Sequence, residues 1–202
     1  MIRVILGGQF RGSQNNWKTI KNLIRNDFFM YVASNDPESW KPYPFHFQIC
    51  KTVELQDTIF HRNFPHMDAH KYLMQWSSIV TCFNTFKDTF NEDDVIIKLR
   101  NDVFIENDCN LDLKTLRNDA IYVPSVEFHN CGIPFDRVNV CNDQIVLGKL
   151  EVMKKYFDLP YNYKILEKQV EFNKYGIEGA LRDHIRYNNL ELETFNLTYH
   201  RA

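Results

Sequence analysis

No stretch of the 202-residue sequence offers 18 consecutive apolar residues, about the minimum for a helix that crosses a bilayer. The first apolar run, from Ile2 to Leu6, is also far shorter than the core of a secretory signal peptide. Gly and Pro are scarce, with 7 of each, which leaves little room for long flexible linkers. These absences predict a cytoplasmic protein with no transmembrane segment. We expect residues 1–202 to form a single domain, either on its own or as one domain cut from a longer chain.

An excess of positive charge is also lacking. The chain carries 24 Lys and Arg against 26 Asp and Glu, for a net charge of −2, so it has no overall positive field to hold a polyanion and we do not expect a nucleic-acid partner. The 5 cysteines are odd in number and include no C-x-x-C pair, which opposes a disulfide framework and a zinc knuckle. We expect reduced, mostly buried thiols. With 44% hydrophobic residues, the composition is that of a folded globular protein.

Short β-branched runs alternate with helical spacings along the chain. Strands are predicted over 2–6, 28–33, 95–99, 120–123 and 144–148, with a further short strand near 49–55, and helices over about 15–26, about 20 residues from 68, 151–157 and 178–187. This alternation predicts an α/β fold of the Rossmann-like kind, with a mostly parallel central sheet flanked by helices.

The first predicted strand ends in glycines. Gly7 and Gly8 allow close backbone approach, and Gln9 and Arg11 supply donors for a base, ribose or phosphate. A plain turn beside a solvated arginine is the alternative. The segment matches neither G-x-G-x-x-G nor G-x-x-x-x-G-K-[ST], which excludes a dinucleotide dehydrogenase and a P-loop enzyme on these residues.

A second predicted strand ends in the charged tripeptide R-N-D, residues 100–102. A carboxylate directly after a buried strand is placed to hold a hard divalent cation, and Arg100 could pair with a phosphate or orient Asp102. The alternative is an Arg–Asp ion pair that caps the strand. Asp143, ahead of another short apolar run, could accept a proton from a hydroxyl or cap the next turn.

The order of these motifs resembles a known group of enzymes. The chain shows, in turn, strand-Gly-Gly-Gln-x-Arg, a helix with Gln75 and Trp76, I-I-K-L-R-N-D, Y-V-P, N-D-Q-x-x-x-G-x-x-x-x-M-x-x-Y, and Glu178 with Leu181 and His184. From about residue 2 to 190, this resembles GT-A type glycosyltransferases of lipopolysaccharide, capsule and viral glycan synthesis. The resemblance is in particular to the WavE-like group, which has Arg-x-Asp in place of Asp-x-Asp.

The resemblance implies transfer of a hexose or deoxyhexose from a UDP- or GDP-sugar donor to a glycan or glycoprotein acceptor. It also implies Mn²⁺ or Mg²⁺ on the donor diphosphate. By that resemblance the metal ligands would be Asp102 and His200, and the base would be Asp143. The nucleotide would be bound by Gly7, Gly8, Gln9, Arg11 and Arg100, and the acceptor or sugar by Trp76, Asn142 and Glu178.

Two other functions stay open. One is a noncatalytic carbohydrate-binding module. The other is a metal-dependent nucleotidyltransferase or phosphodiesterase, which would require Asp93, Asp94, Asp102 and Asp143 to surround two metals. Because Asp93 and Asp94 precede their strand while Asp102 follows it, we expect them to lie about 20 Å apart, too far for one site.

Overall fold

The computed structural model describes residues 1–7, 14–25, 27–33, 47–50, 67–109, 111–125, 143–159, 179 and 181–201. The strands within these ranges are β1 (Ile2–Gly7), β2 (Phe28–Ala33), β3 (Phe47–Cys50), β4 (Val95–Leu99), β5 (Val103–Ile105), β6 (Ala120–Pro124), β7 (Ile145–Lys149), β8 (Glu191–Phe195) and β9 (Tyr199–Arg201). The helices are α1 (Gln14–Leu23), α2 (Met67–Phe86), α3 (Leu150–Phe157) and α4 (181–187), and a 3₁₀ turn (Lys87–Thr89) follows α2. None of these helices is both long and apolar enough to cross a membrane.

Seven of the strands form one sheet in the order β3-β2-β1-β4-β7-β6-β8. Four neighbouring pairs in it are parallel, and β7 alone runs antiparallel to both of its neighbours, β4 and β6. The predicted α/β fold with a mostly parallel sheet is therefore confirmed. Strands β5 and β9 pair separately as a two-stranded antiparallel sheet.

Alternate side chains of the central strands face opposite layers, as the pleat of a strand requires. One face, which includes Ile5, Ile96 and Val146, packs against apolar side chains of α2, α3 and α4. The other face, which includes Val4 and Ile97, packs against α1 and the β5–β9 sheet. Both faces are covered, and this explains why the central strands read as continuous apolar runs.

Helix α1 fixes the position of β5. Its Asn22 side-chain amide donates a hydrogen bond to the Ile105 carbonyl (2.9 Å), and its Thr19 hydroxyl accepts one from the Ile105 amide (3.0 Å). These two bonds hold the end of β5 on α1, and the turn between β4 and β5 contains Asn101 and Asp102.

A buried ion pair lies at the opposite edge of the sheet, where β1 and β4 begin. The Arg3 guanidinium donates to Asp94 (2.9 Å) and to the Tyr31 hydroxyl (2.6 Å), and it also lies against the rings of Phe29 and Phe90. Burial alone would raise the pKa of the Asp94 carboxyl, but hydrogen bonds from the terminal amino group and from Arg3 outweigh it and hold that pKa below its usual value.

The cysteines within the described core agree with the expectation of buried thiols. Cys82 and Cys109 are buried and make no disulfide. Burial raises the pKa of the Cys109 thiol, so the uncharged form is favoured.

Candidate functional site

The central sheet has a topological switch point beside β1. The chain passes from β1 to β2 and β3 on one side, then returns to add β4 on the other side. Ligands of open α/β sheets bind in the crevice outside the carboxyl ends of the strands at such a point. Here β1 and β4 are parallel neighbours, and their carboxyl ends are Gly7 and Leu99. Gly7 and the R-N-D segment that follows β4 therefore lie at the same edge of the sheet.

The reversed direction of β7 brings a third predicted residue to this edge. In the antiparallel β4–β7 ladder Leu99 lies opposite Ile145, and the Arg100 amide donates to the Gln144 carbonyl (2.9 Å). The residue before Gln144 is Asp143, which is buried. Sequence reasoning placed Asp143 before a short apolar run, and the antiparallel pairing is what carries it next to Arg100.

Arg100, Asp102 and Asp143 form a compact charged group, which we call the Arg100 cluster. The Arg100 guanidinium donates from Nε to Oδ1 of Asp102 (2.8 Å) and from Nη2 to Oδ2 (2.7 Å). Its Nη1 lies 4.0 Å from Oδ2 of Asp143. The three side chains are between 7% and 9% exposed, so water screens their charges little.

A second buried cation lies on β4, two residues before Arg100. Lys98 is 1% exposed, and its Nζ lies 5.6 Å from the centre of the Trp76 ring. Because Lys98 and Arg100 are two residues apart along the strand direction, their side chains start from the same side of it. We did not predict Lys98 as a site residue. The available signal was a lysine inside the otherwise apolar run V-I-I-K-L, where a charge needs a partner.

Trp76, the predicted sugar contact, lies in the apolar core. It is 3% exposed, and its ring packs against Tyr156 (5.2 Å between centroids) and Phe157 (6.2 Å). In this arrangement the Trp76 ring lies beside the ammonium group of Lys98. A direct contact with sugar stays a prediction.

His200, the predicted second metal ligand, lies on β9 opposite Phe104 of β5. Its ring stacks on Phe104 (4.8 Å between centroids), and Nδ1 lies 2.7 Å from Oε1 of Glu106. The imidazole is half exposed. His200 therefore lies near the strand that follows Asp102, but it is paired with Glu106.

A divalent cation needs several oxygen or nitrogen ligands that converge on one point. Both carboxylate oxygens of Asp102 accept hydrogen bonds from Arg100, and the described residues hold no group of three or more His, Cys, Asp or Glu side chains suited to a metal. The described side chains do not fit a cation at Asp102 in this arrangement. Binding of Mn²⁺ or Mg²⁺ stays a prediction.

The remaining predicted site residues lie outside the part of the chain that the structure describes. They are Gly8, Gln9, Arg11, Asn142 and Glu178. Their roles in binding nucleotide, acceptor or sugar stay predictions.

The carboxylates that the two-metal alternative requires lie at opposite ends of β4, as expected. Asp94 lies before the amino end of the strand and is bound to Arg3, whereas Asp102 follows the carboxyl end. The five residues of β4 span about 17 Å at 3.3 Å each, so these carboxylates do not share a metal pair.

His184, which belongs to the motif order of the resemblance, lies away from the crevice on α4. It is fully buried, and its Nε2 lies 2.6 Å from the Lys155 carbonyl near the end of α3. Burial lowers its pKa to about 4, although hydrogen bonds to the Lys155 and Tyr156 backbone oppose the shift. The neutral imidazole therefore joins α4 to α3, a structural role.

Comparison of the sequence with protein-family models and with curated proteins finds no match. Among solved structures, the chain is similar to glycosyltransferase GlyE of Streptococcus pneumoniae TIGR4. One crystal structure of that protein is 14% identical with a TM-score of 0.49, over 96% of this chain and 44% of that one. Its apo form is 12% identical with a TM-score of 0.45, over 95% of this chain and 44% of that one. The chain thus spans less than half the length of either structure, and similarity at this level carries no information about activity.

Proposed function

We propose that this chain transfers a sugar from a nucleotide-diphosphate sugar, with UDP or GDP as the nucleotide, to a hydroxyl of a glycan or glycoprotein acceptor. The observation that carries the proposal is the Arg100 cluster at the switch point of the sheet. It combines a guanidinium suited to phosphate and a carboxylate suited to a hydroxyl proton, beside the glycine that ends β1.

The proposed reaction breaks the bond between the anomeric carbon of the sugar and the β-phosphate oxygen, and forms a bond from that carbon to the acceptor oxygen. The acceptor proton passes to the Asp143 carboxylate, and the bonding electrons leave with the nucleoside diphosphate. Arg100 stabilises the negative charge that develops on the departing phosphate. Gly7, and by the sequence resemblance Gly8, Gln9 and Arg11, would bind the nucleotide.

The proposal includes three further points. The chain is of the GT-A type, it is related to the WavE-like group, and it transfers a hexose or a deoxyhexose. The expected Mn²⁺ or Mg²⁺ is also part of the proposal. If bound, that cation would neutralise charge on the diphosphate, with Asp102 and His200 as the candidate ligands.

The test is donor hydrolysis and transfer with a panel of UDP- and GDP-sugars, preceded by a thermal-shift screen of the same compounds. We expect Asp143→Asn to lower turnover by about 100-fold or more, as loss of a general base does. Asp119→Asn is the matched control, since Asp119 is an exposed aspartate also paired with an arginine, and it should keep full activity. If free sugars raise the melting temperature and nucleotides do not, the chain is a noncatalytic carbohydrate-binding module and the proposal is wrong.

A further inference from the structure

Strand β5 is hydrogen-bonded to a strand on one side and to a helix on the other. On the first side it pairs with β9, and the Glu106 amide donates to the Thr198 carbonyl (2.9 Å). In an antiparallel pair the neighbouring residue turns its N–H and C=O the other way. For Ile105 that direction is towards α1, where its amide donates to the Thr19 hydroxyl (3.0 Å) and its carbonyl accepts from the Asn22 side-chain amide (2.9 Å). Two helix side chains thus take the place of a neighbouring strand.

Thr19 and Asn22, which we call the Ile105 bracket, are three residues apart and therefore lie on one face of α1. Ile105 is 1% exposed and Thr19 is 8% exposed, so water does not readily replace either bond when a side chain is removed. The main-chain carbonyl of Asn22 also accepts a hydrogen bond from the Cys109 amide (2.7 Å). Helix α1 therefore holds the chain that follows β4 at two points, Ile105 and Cys109.

The position of the bracket relates it to the Arg100 cluster. Ile105 lies three residues after Asp102, whose two carboxylate oxygens accept hydrogen bonds from Arg100 (2.8 and 2.7 Å). The chain leaves β1 at Gly7 and enters α1 at Gln14. The bracket therefore joins the elements that follow β1 and β4, the two strands whose carboxyl ends form the sheet edge at the candidate site.

We propose that Thr19 and Asn22 are positioning residues. By holding Ile105 they fix the turn that carries Asp102, and through Asp102 they fix the Arg100 guanidinium. The inference rests on the proposed function for its kinetic consequence, whereas the bracket itself is measured without a substrate. The departing phosphate carries more negative charge in the transition state than in the bound donor, so a misplaced guanidinium should lower kcat more than it raises KM.

Amide hydrogen exchange, measured by NMR, tests the bracket in the free chain. Thr19→Val keeps the shape of the side chain and removes the hydroxyl, so the Ile105 amide should exchange about tenfold faster, while amides in the middle of β1 and β4 keep their rates. Thr19→Ser keeps a hydroxyl and should restore most of the protection. Equal exchange of the Ile105 amide in Thr19→Val and in the unaltered chain would overturn the inference.

The link from the bracket to Arg100 has a second readout in the same spectra. The Nε–H of Arg100 donates to Asp102 within a buried pair, so it should exchange slowly in the unaltered chain and about tenfold faster in Thr19→Val. If the Ile105 amide exchanges faster and the Arg100 Nε–H does not, the bracket does not position Arg100 and the inference is wrong.

Kinetics with the nucleotide sugar found in the donor screen test the consequence, at a temperature where circular dichroism shows every variant to be folded. We expect Thr19→Val and Asn22→Asp to lower kcat about tenfold and to change KM by less than about twofold, since Asn22→Asp sets a carboxylate oxygen against the Ile105 carbonyl. Thr19→Ser should recover kcat. Loss of stability in these variants with kcat unchanged would show that the bracket serves the fold alone, contrary to the inference.

The matched control is Arg25→Ala on the same helix. Arg25 forms an ion pair with Asp108 (2.9 Å) in the same segment, but both side chains are well exposed, at 64% and 62%. An exposed pair of this kind contributes little, so kcat, KM and the exchange of the Ile105 amide should stay unchanged.

The two proposals fail separately. If the unaltered chain turns over no nucleotide sugar, the proposed function is wrong, and the exchange rates of the Ile105 amide and the Arg100 Nε–H still decide the inference. If turnover is found and Thr19→Val keeps full kcat, the function stands and the inference is wrong.

Discussion

Acidification should loosen the contact between α3 and α4 through one buried side chain. The neutral ring of His184 is fully buried and its Nε2–H donates to the Lys155 carbonyl at 2.6 Å. The Asn188 side-chain amide lies 3.3 Å from Nδ1 and also donates to the His184 carbonyl at 2.9 Å. No charged partner is among these contacts, so protonation of the ring is opposed by burial.

The size and sign of the effect follow from the pKa of His184, which is about 4 in the folded chain against 6.5 for the ordinary value. Because the folded pKa is depressed, the neutral ring stabilises the fold fully above pH 6.5, and that stability is lost as pH falls from 6.5 towards 4. Linkage gives a loss of about 2 kcal/mol at pH 5 and about 3 kcal/mol at pH 4, relative to pH 8.

The assay is urea unfolding followed by circular dichroism at several pH values between 4 and 8. His184→Gln removes the titration, so the free energy difference between the unaltered chain and this variant should change by about 2 kcal/mol between pH 8 and 5, in favour of the variant. A difference that stays constant with pH would refute the assigned role of His184.

Three further substitutions test the packing and charge of the core by the same unfolding measurement. Asp94→Asn should cost about 3 kcal/mol because it leaves Arg3 as a buried charge without its carboxylate, and an unfolding free energy within error of the unaltered chain would contradict this. Gly148→Ala should change the free energy of unfolding by less than about 1 kcal/mol, because the added Cβ would lie 3.2 Å from atoms of the flexible Met153 side chain. The larger Gly148→Val should cost about 2 kcal/mol, and equal effects of the two substitutions would contradict this packing. Phe83→Ala should cost about 3 to 5 kcal/mol, because Phe83 is buried and stacks on Phe157 at 4.4 Å; a loss below 1 kcal/mol would refute this packing.

The strongly apolar elements of this fold could be predicted from the sequence, because both faces of the sheet are buried and the strands therefore read as apolar runs. Strands β2 and β4 begin and end where expected, and α2 lies within one or two residues of its predicted bounds. Strand β8 was missed. It is an edge strand with exposed and half-exposed glutamates, and its sequence E-L-E-T-F buries mainly Phe195. Strands β5 and β9 are three residues each, too short for a period to be visible.

The sequence indicated at which edge of the sheet part of the candidate site lies, and it did not indicate the contacts there. The position of Arg100 and Asp102 after a buried strand indicated the carboxyl edge of the sheet, and the structure places them there. Asp143 lies close to Arg100 because β7 runs antiparallel to β4, and the spacing of apolar residues does not predict strand direction. Whether Asp102 meets a cation or a guanidinium was left open between two alternatives, and in the structure both of its carboxylate oxygens accept hydrogen bonds from Arg100.

A crystal structure of the chain grown with UDP or GDP, in the absence and presence of Mn²⁺, tests the central claim most directly. We expect the diphosphate at the sheet edge formed by Gly7 and Leu99 in both crystals, with a phosphate oxygen within hydrogen-bond distance of the Arg100 guanidinium. A nucleotide bound at any other edge of the sheet would contradict the account.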